Sequence, residues 1–239
     1  MRPFLIAVLR CTVILLASLG VVSAIGRGFI LAYPDHRGIA YFQEQFLHSI
    51  QRNDAVVLQW LQELRELDRK FAADWVLTLL HIVPGGIFLV FALLQFSERV
   101  RSRHIRFHRW SGRVLVVAAF AAGVTGWYFG VLTPYGGLSE GSATAVFGGL
   151  FLAAIGRAFV AIRRGQVALH REWMIRAFAL AISVSTVRLV GAPLQAVAPV
   201  SFHELRGPSF WIGWAITLGA AELWIRYTRR VDQPESSAG

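Results

Sequence analysis

Two histidine and arginine pairs in this sequence are candidates for chemistry. His108 and Arg113 stand in HRWSGR, and His170 and Arg176 stand in HREWMIR. Two imidazoles at matched depth on facing helices are what a bis-histidine haem b requires, and arginines can pair with its propionates. The same four residues could hold another anion. Alternatively, the histidines only hydrogen-bond lipid headgroups and helix ends.

A second candidate site consists of His81 and Arg188, which interrupt otherwise apolar stretches. Ionisable residues are costly in such stretches and are therefore functional-site candidates. Helix rise puts them about 10 and 13 Å below one surface, where they would line a ligand pocket. Tyr128, Tyr135 or His203 is expected near its mouth. No acid is predicted at the depth of Arg188, so a bound anion or helix-end carbonyls are its expected partners; a purely structural arginine is the alternative.

The stretches that must position these residues are long and apolar. Hydrophobic residues make up 55% of the 239 residues and charged residues 16%, whereas a soluble domain carries about 25% charged residues. A bilayer core is crossed by about 20 apolar residues. Six stretches reach this length: 4–32, 73–96, 112–132, 143–162, 173–198 and 209–227. They predict an all-α polytopic membrane helix bundle with about six transmembrane helices.

Basic residues in the short connections predict how the bundle is oriented. The basic segments 97–113, 163–171 and 226–230 fall on one side if both termini are cytoplasmic. We therefore expect a multi-pass protein of the bacterial cytoplasmic (inner) membrane with both termini cytoplasmic. Arg10 interrupts the first apolar stretch, which continues to residue 32, so we interpret it as an uncleaved anchor rather than a signal peptide.

The segment RSRHIRFHRWSGR (101–113) contributes strongly to the formal net charge of +10. A nucleic-acid site needs basic residues spread over a solvated surface, beside side chains that hydrogen-bond to nucleobases or stack on them. Here the arginines border apolar stretches, and Phe107 and Trp110 resemble interfacial anchors. We therefore expect the lipid bilayer and its anionic headgroups as partners and no nucleic acid. Other membrane subunits or a homo-oligomer are further expected partners.

The connection 33–72 is not a simple linker, because its apolar residues recur at helical spacing. This pattern predicts two amphipathic helices, the second capped by Asn53 or Asp54. They would lie on the outer leaflet or cover the mouth of the bundle. The expected segments are a first transmembrane anchor (1–32), an extracytoplasmic amphipathic helical segment (33–72), a four-helix transmembrane core (73–198), a last transmembrane helix (199–229) and a disordered cytoplasmic tail (230–239).

Two further features predict contacts between the helices. Glu222 is the only acid well inside a predicted span, and Arg176 and Arg113 are its expected partners. Small residues are frequent in the third and fourth spans, including Gly126 and Gly149, and they predict close helix packing.

The sequence contains no HExxH or Walker motif, and no GxSxG or dinucleotide-binding motif in a strand–helix context, because its one GxSxG match, GLSEG at 137–141, lies between two apolar stretches. No motif therefore supports an enzymatic activity. The single cysteine excludes an intrachain disulfide and a cysteine-based metal site. Three functions stay open: a haem-binding or redox-associated membrane component, a small-molecule or anion binding or transport protein, and a structural subunit of a membrane complex.

The runs RSRHIRFHRWSGRVLVV and AIRRGQVALHREWMIRAFALAISVSTVRL, with the helix around Gly148-Gly149 between them, resemble a family of bacterial integral membrane proteins. It is catalogued as domain of unknown function 2306. The resemblance covers about residues 75–190. It implies a membrane location and no activity. The residues that carry it are His81 with the glycines after it, His108, Gly112, Arg113, His170, Trp173, Met174, Ile175, Arg176 and Arg188.

Overall fold

A computed structural model describes residues 2–33, 37–51, 53–197 and 200–232. Within these ranges the regular structure is helical, with no strand. The helices are α1 (Arg2–Ala32), α2 (Arg37–Ile50), α3 (Asp54–Ala73), α4 (Trp75–Gln95), α5 (Glu98–Arg103), α6 (Ile105–Val131), α7 (Gly137–Arg163), α8 (Val167–Val197) and α9 (Phe202–Asp232). The predicted all-α membrane helix bundle is confirmed.

Five helices of the described chain, α1, α4, α6, α7 and α8, are long and apolar enough to cross a bilayer. The sixth predicted span corresponds to α9, which packs along α7 and α8. Glu222 and Arg226 interrupt the apolar sequence of α9, and this helix does not share the apolar character of the other five. A sixth crossing therefore stays a prediction.

The five apolar helices form a closed ring. Each contacts the next, in the order α1, α4, α6, α7 and α8, and α8 returns to α1. Along one half of the helices' length, the inside of the ring is filled by a hydrophobic core that includes Phe88 of α4, Ile155 of α7 and Phe178 of α8. This core holds the helices together and closes the ring over that length, whereas along the other half the ring encloses a cavity.

The two ends of the bundle differ in structure, and we name them accordingly. The basic end carries α5, the α7–α8 connection and the last turns of α9. The capped end carries α2 and α3, which pack through Leu47, Val57, Trp60 and Leu61. The Trp60 Nε1–H donates a 3.0 Å hydrogen bond to the Val200 carbonyl between α8 and α9. The two amphipathic helices therefore cover the mouth of the ring, which is one of the two placements predicted for them.

The start of α3 agrees with the sequence prediction. Asn53 is the N-cap, and its Oδ1 accepts a hydrogen bond from the Ala55 amide at 3.1 Å. A side-chain oxygen at this position satisfies a backbone N–H that has no partner within the helix.

Several helices extend beyond the apolar stretches that predicted them. Helix α6 begins at Ile105, so most of segment 101–113 is helical rather than a loop. His104 separates α5 from α6, with φ −129° and ψ 48°, and it lies outside both helices as the N-cap of α6. Helix α9 includes residues 230–232 of the predicted tail, and residues 233–239 lie outside the described ranges. Hydropathy locates the apolar part of a helix, but backbone hydrogen bonding continues into the polar interface.

Candidate functional site

The candidate site is a cavity of about 700 Å³ inside the ring at the capped end. All five helices of the ring line it, together with residues of α3 and α9. Phe88, Leu89 and Ala119 belong both to its lining and to the hydrophobic core, so the core forms its floor. Its volume is in the range of about 300–1,000 Å³ that is typical of sites for a single organic ligand.

His81 of α4 lines this cavity in a fixed orientation. Its Nδ1 lies 2.8 Å from the Ala122 carbonyl of α6. A carbonyl only accepts hydrogen bonds, so Nδ1 carries the proton and Nε2 is left to face another partner. Gly126 makes room for the ring, because a Cβ at this position would lie 2.7 Å from His81 Cε1. The predicted close packing at Gly126 is confirmed, whereas a Cβ at Gly149 would meet no atom within 4 Å.

Arg188 of α8 lines the same cavity and is accessible there. Its Nη1 donates a 2.6 Å hydrogen bond to the Val184 carbonyl of its own helix. No carboxylate of the described chain forms an ion pair with it, and the strongest charges that act on it are those of Arg206 and Arg27, both positive. An uncompensated charge inside a protein costs several kcal/mol. This arginine therefore needs an anion or water in the cavity.

The other cations of the cavity wall already have partners. Arg206 of α9 forms two bonds with Glu140 of α7, Nε to Oε2 at 3.0 Å and Nη2 to Oε1 at 2.5 Å. Arg27 of α1 pairs with Asp68 of α3, and the Lys70 ammonium donates to the Thr133 carbonyl. Among the described arginines of the wall, only Arg188 lacks an acid.

Sequence reasoning missed the buried pair of Glu140 and Arg206. Glu140 was assigned to a connection, whereas α7 begins at Gly137 and buries this side chain to 3% exposure. A signal did exist: Glu140 is the only charged residue in 133–142, and Arg206 is the only arginine or lysine in 199–208. A lone acid and a lone base on neighbouring connections at one end of a bundle are candidates for pairing.

Outside the membrane-spanning helices, Lys70 and Tyr135 at the capped end have perturbed pKa values. Burial lowers the pKa of the Lys70 ammonium, and the negative charge of Glu140 opposes this shift. Burial raises the pKa of the Tyr135 phenol to about 12, assisted by the negative charges of Glu66 and Glu63. Tyr135 is therefore neutral at physiological pH and donates a 2.9 Å hydrogen bond to the Glu63 carbonyl of α3.

Of the predicted ligand-pocket residues, His81 and Arg188 share the cavity wall but Tyr128 does not belong to it. Tyr128 follows Gly126 by two residues, which is a rotation of about 200° around the helix. Because Gly126 faces the cavity, Tyr128 faces away from it and packs against Phe129, with ring centroids 5.5 Å apart. Tyr135 lines the cavity, as predicted for one residue near the mouth.

The predicted haem or anion site lies at the basic end. His170 of α8 has its Nδ1 2.9 Å from the Ala158 carbonyl, which leaves Nε2 available. This is the arrangement that iron-ligating histidines use. His108 of α6 differs, because its Nδ1 is buried without a hydrogen-bond partner in the described chain. No group of three or more His, Cys, Asp or Glu side chains in these ranges could hold a metal ion.

The two arginines of this site have different surroundings. Arg176 forms a bidentate ion pair with Glu222, at 2.5 and 3.0 Å, and stacks over the Trp173 ring at 4.7 Å. The predicted pairing of Glu222 with Arg176 is therefore confirmed. Arg113 is exposed and does not contact Glu222. An anion at the basic end would have to compete with Glu222 for Arg176.

Comparison with known proteins gives one match. A family described as predicted membrane protein (DUF2306) matches residues 78–225, from the second turn of α4 to the last third of α9. This range contains both histidine motifs, His81 and Arg188, and it extends beyond the range of the sequence resemblance to include most of α9. No curated protein and no solved structure matches the chain.

Proposed function

The chain belongs to the DUF2306 family of predicted membrane proteins, and we propose that it binds an organic anion in the cavity at His81 and Arg188. The observation that supports this function is the Arg188 guanidinium, which is accessible in the cavity and has no acidic partner in the described chain. An anionic ligand would supply the missing charge. The known family description names no activity, so the proposal depends on this geometry.

His81 would complete the anion site. Its Nδ1–H is held by the Ala122 carbonyl, so Nε2 accepts a hydrogen bond from a ligand hydroxyl when neutral and donates one when protonated. The positive charge of Arg188 acts on this imidazole. A protonated His81 can therefore donate to a carboxylate or phosphate oxygen of a ligand held by Arg188, whereas a neutral His81 can only accept, for example from the hydroxyl of a singly protonated phosphate.

The proposed site would be reached from the side of the membrane opposite the basic segments. The hydrophobic core separates the cavity from the basic end. With the basic end in the cytoplasm, as the arginine distribution favours, the capped end and the cavity mouth face the outside. The protein would then receive its ligand from the extracytoplasmic side of an inner membrane.

Binding of anions to Arg188→Gln tests the proposal. We expect the wild-type protein to be stabilised against heat by organic carboxylates or phosphates and not by neutral alcohols of the same size. Loss of a hydrogen bond to a charged group costs about 1.5–3 kcal/mol, so the variant should bind the anions about 10- to 150-fold more weakly.

Arg163→Gln is the matched control, because it removes an exposed arginine at the basic end of α7, far from the cavity. It should bind anions as the wild type does. Equal anion binding by Arg188→Gln and the wild type, or an equal loss in both variants, would contradict the proposed site.

Haem binding at His108 and His170 stays a prediction. His170 has the hydrogen bond that an axial ligand uses, whereas His108 has not. An optical spectrum and iron analysis of protein purified after expression with adequate haem tests it. A Soret band that disappears in His170→Ala would support a haem site, and a colourless, iron-free preparation would exclude it.

A further inference from the structure

The cavity is a deep slot whose long axis follows the helices. On α4 its lining runs from Thr78 to Leu89, which is about 16 Å by helix rise. On α8 the lining runs over residues 180–192, which is about 18 Å. A small inorganic anion bound at Arg188 would leave most of this length unfilled.

The polarity of the wall changes along the slot. Lys70, Glu140 and Arg206 line its mouth at the capped end, and His81 and Arg188 follow further inside. Beyond Arg188, towards the core, the wall is formed by apolar and aromatic side chains and holds no ionisable group in the described chain. They include Leu19, Phe88, Leu89, Phe151, Leu180 and Trp214. The Trp214 Nε1–H is already satisfied by the Leu180 carbonyl at 3.1 Å.

These two halves require different ligand chemistry. A neutral apolar molecule would leave Arg188 without a counter-charge in the membrane interior, which is costly. A compact polar anion would leave the apolar half in contact with water, although burial of its surface is favourable by about 25 cal/mol per Å². Only a ligand with a charged head and an apolar body satisfies both halves.

We propose that the ligand is a single-chain amphiphilic anion, a carboxylate or a phosphate monoester, whose head binds Arg188 and His81 and whose chain lies in the slot between Phe88 and Trp214. This inference rests on the proposed anion site and adds the class and the direction of the ligand. The head lies towards the capped end, and the chain points towards the core.

Quenching of tryptophan fluorescence by 12-bromododecanoate tests the direction of the chain. The full chain is placed in nanodiscs of zwitterionic phospholipid, so that the bilayer supplies no anionic lipid. Bromine at the end of the chain should quench Trp214 in a saturable manner. Trp127 also lines the cavity, next to Gly126 at the level of His81, so the reporter is the difference between two variants: Trp127→Phe should keep most of the saturable component and Trp214→Phe should lose most of it. Trp110→Phe should keep all of it, because Trp110 is 65% exposed and lies at the basic end.

Competition separates the classes of ligand. Dodecanoate and dodecyl phosphate should each displace the brominated probe, and their relative strength identifies the preferred head. Acetate, inorganic phosphate and dodecanol should be at least tenfold weaker. Arg188→Gln should lose the saturable quenching.

The outcomes distinguish the two levels of the proposal. If acetate or inorganic phosphate displaces the probe as well as dodecanoate does, the anion site stands but the amphiphile is wrong. If dodecanoate stabilises the protein through Arg188 but Trp214 is not quenched, the direction of the chain is wrong. If no anion of any length binds, both the proposed function and this inference fail.

Discussion

Three arginines of this chain have the same side chain but different roles. Arg176 is held by Glu222 and by the ring of Trp173, and Arg206 is held by Glu140. Arg188 has only a carbonyl of its own helix. Because the first two are neutralised within the protein, their contacts explain their presence. Under the proposed function, an anion that enters the cavity neutralises Arg188.

Substitution of Arg188 by methionine distinguishes a ligand-binding arginine from a structural one. An arginine that binds a ligand is an uncompensated charge when the ligand is absent, and it then destabilises the protein. Arg188→Met should therefore raise the unfolding free energy of ligand-free protein by about 1–3 kcal/mol. A structural arginine would show the opposite sign. Thermal unfolding in a neutral detergent, after removal of bound small molecules, measures the difference.

Gly126 should be essential for the position of His81. The Cβ of alanine at this position would lie 2.7 Å from Cε1 of an imidazole that cannot move without losing its bond to Ala122. Gly126→Ala should therefore lower the unfolding free energy by about 1–3 kcal/mol and weaken anion binding. Gly149→Ala is the control, since it meets no atom within 4 Å and should be neutral or stabilising by up to about 1 kcal/mol. Equal effects of the two substitutions would contradict the account of His81.

At the scale of the elements, the capped end is assembled by contacts between helices far apart in the chain. Helix α3 is attached to the α8–α9 connection through Trp60, to the α6–α7 connection through Lys70 and Tyr135, and to α1 through Asp68. Helices α7 and α9 meet there through Glu140 and Arg206. The cover of the cavity therefore depends on these polar contacts together with the apolar cluster around Trp60, whereas the basic half depends on the larger hydrophobic core.

The pair of Glu140 and Arg206 should stabilise the capped end. Glu140→Gln removes the charge and leaves the guanidinium of Arg206 uncompensated, and loss of one partner of a buried pair costs about 3–5 kcal/mol. The lower end of this range is expected, because Arg206 borders the cavity. Glu204→Gln is the control, since Glu204 is exposed in the first turn of α9. Thermal unfolding that is lowered equally by both substitutions would show that the pair contributes nothing specific.

The elements could be predicted from the sequence to different degrees. The long apolar helices and the amphipathic pair α2 and α3 follow from hydropathy and helical spacing, which depend on local composition. Their ends could not be predicted in the same way, as Glu140 inside α7 and the break at His104 show.

At the site, the cost of ionisable residues in apolar stretches pointed to His81 and Arg188. Tyr128 does not line the cavity, because depth along a helix does not define the face of the helix. Arg27, Lys70 and Arg206 line the wall only through contacts distant in sequence.

At the scale of the whole molecule, the ring of helices is blocked in one half and hollow in the other. The arginine-rich segments lie at the blocked end, and the two amphipathic helices lie over the hollow end. A multi-pass membrane protein with this asymmetry has a compartment that communicates with one side. This asymmetry is what the proposed anion site requires, because the hydrophobic core separates the cavity from the basic end.

Native mass spectrometry of the full chain released from its own membranes tests the central claim most directly. We expect one bound anionic molecule per chain in the wild type and in Arg163→Gln, and none in Arg188→Met. Retention of the same molecule by Arg188→Met, or its absence from the wild type under conditions that preserve bound lipids, would contradict an anion site at Arg188.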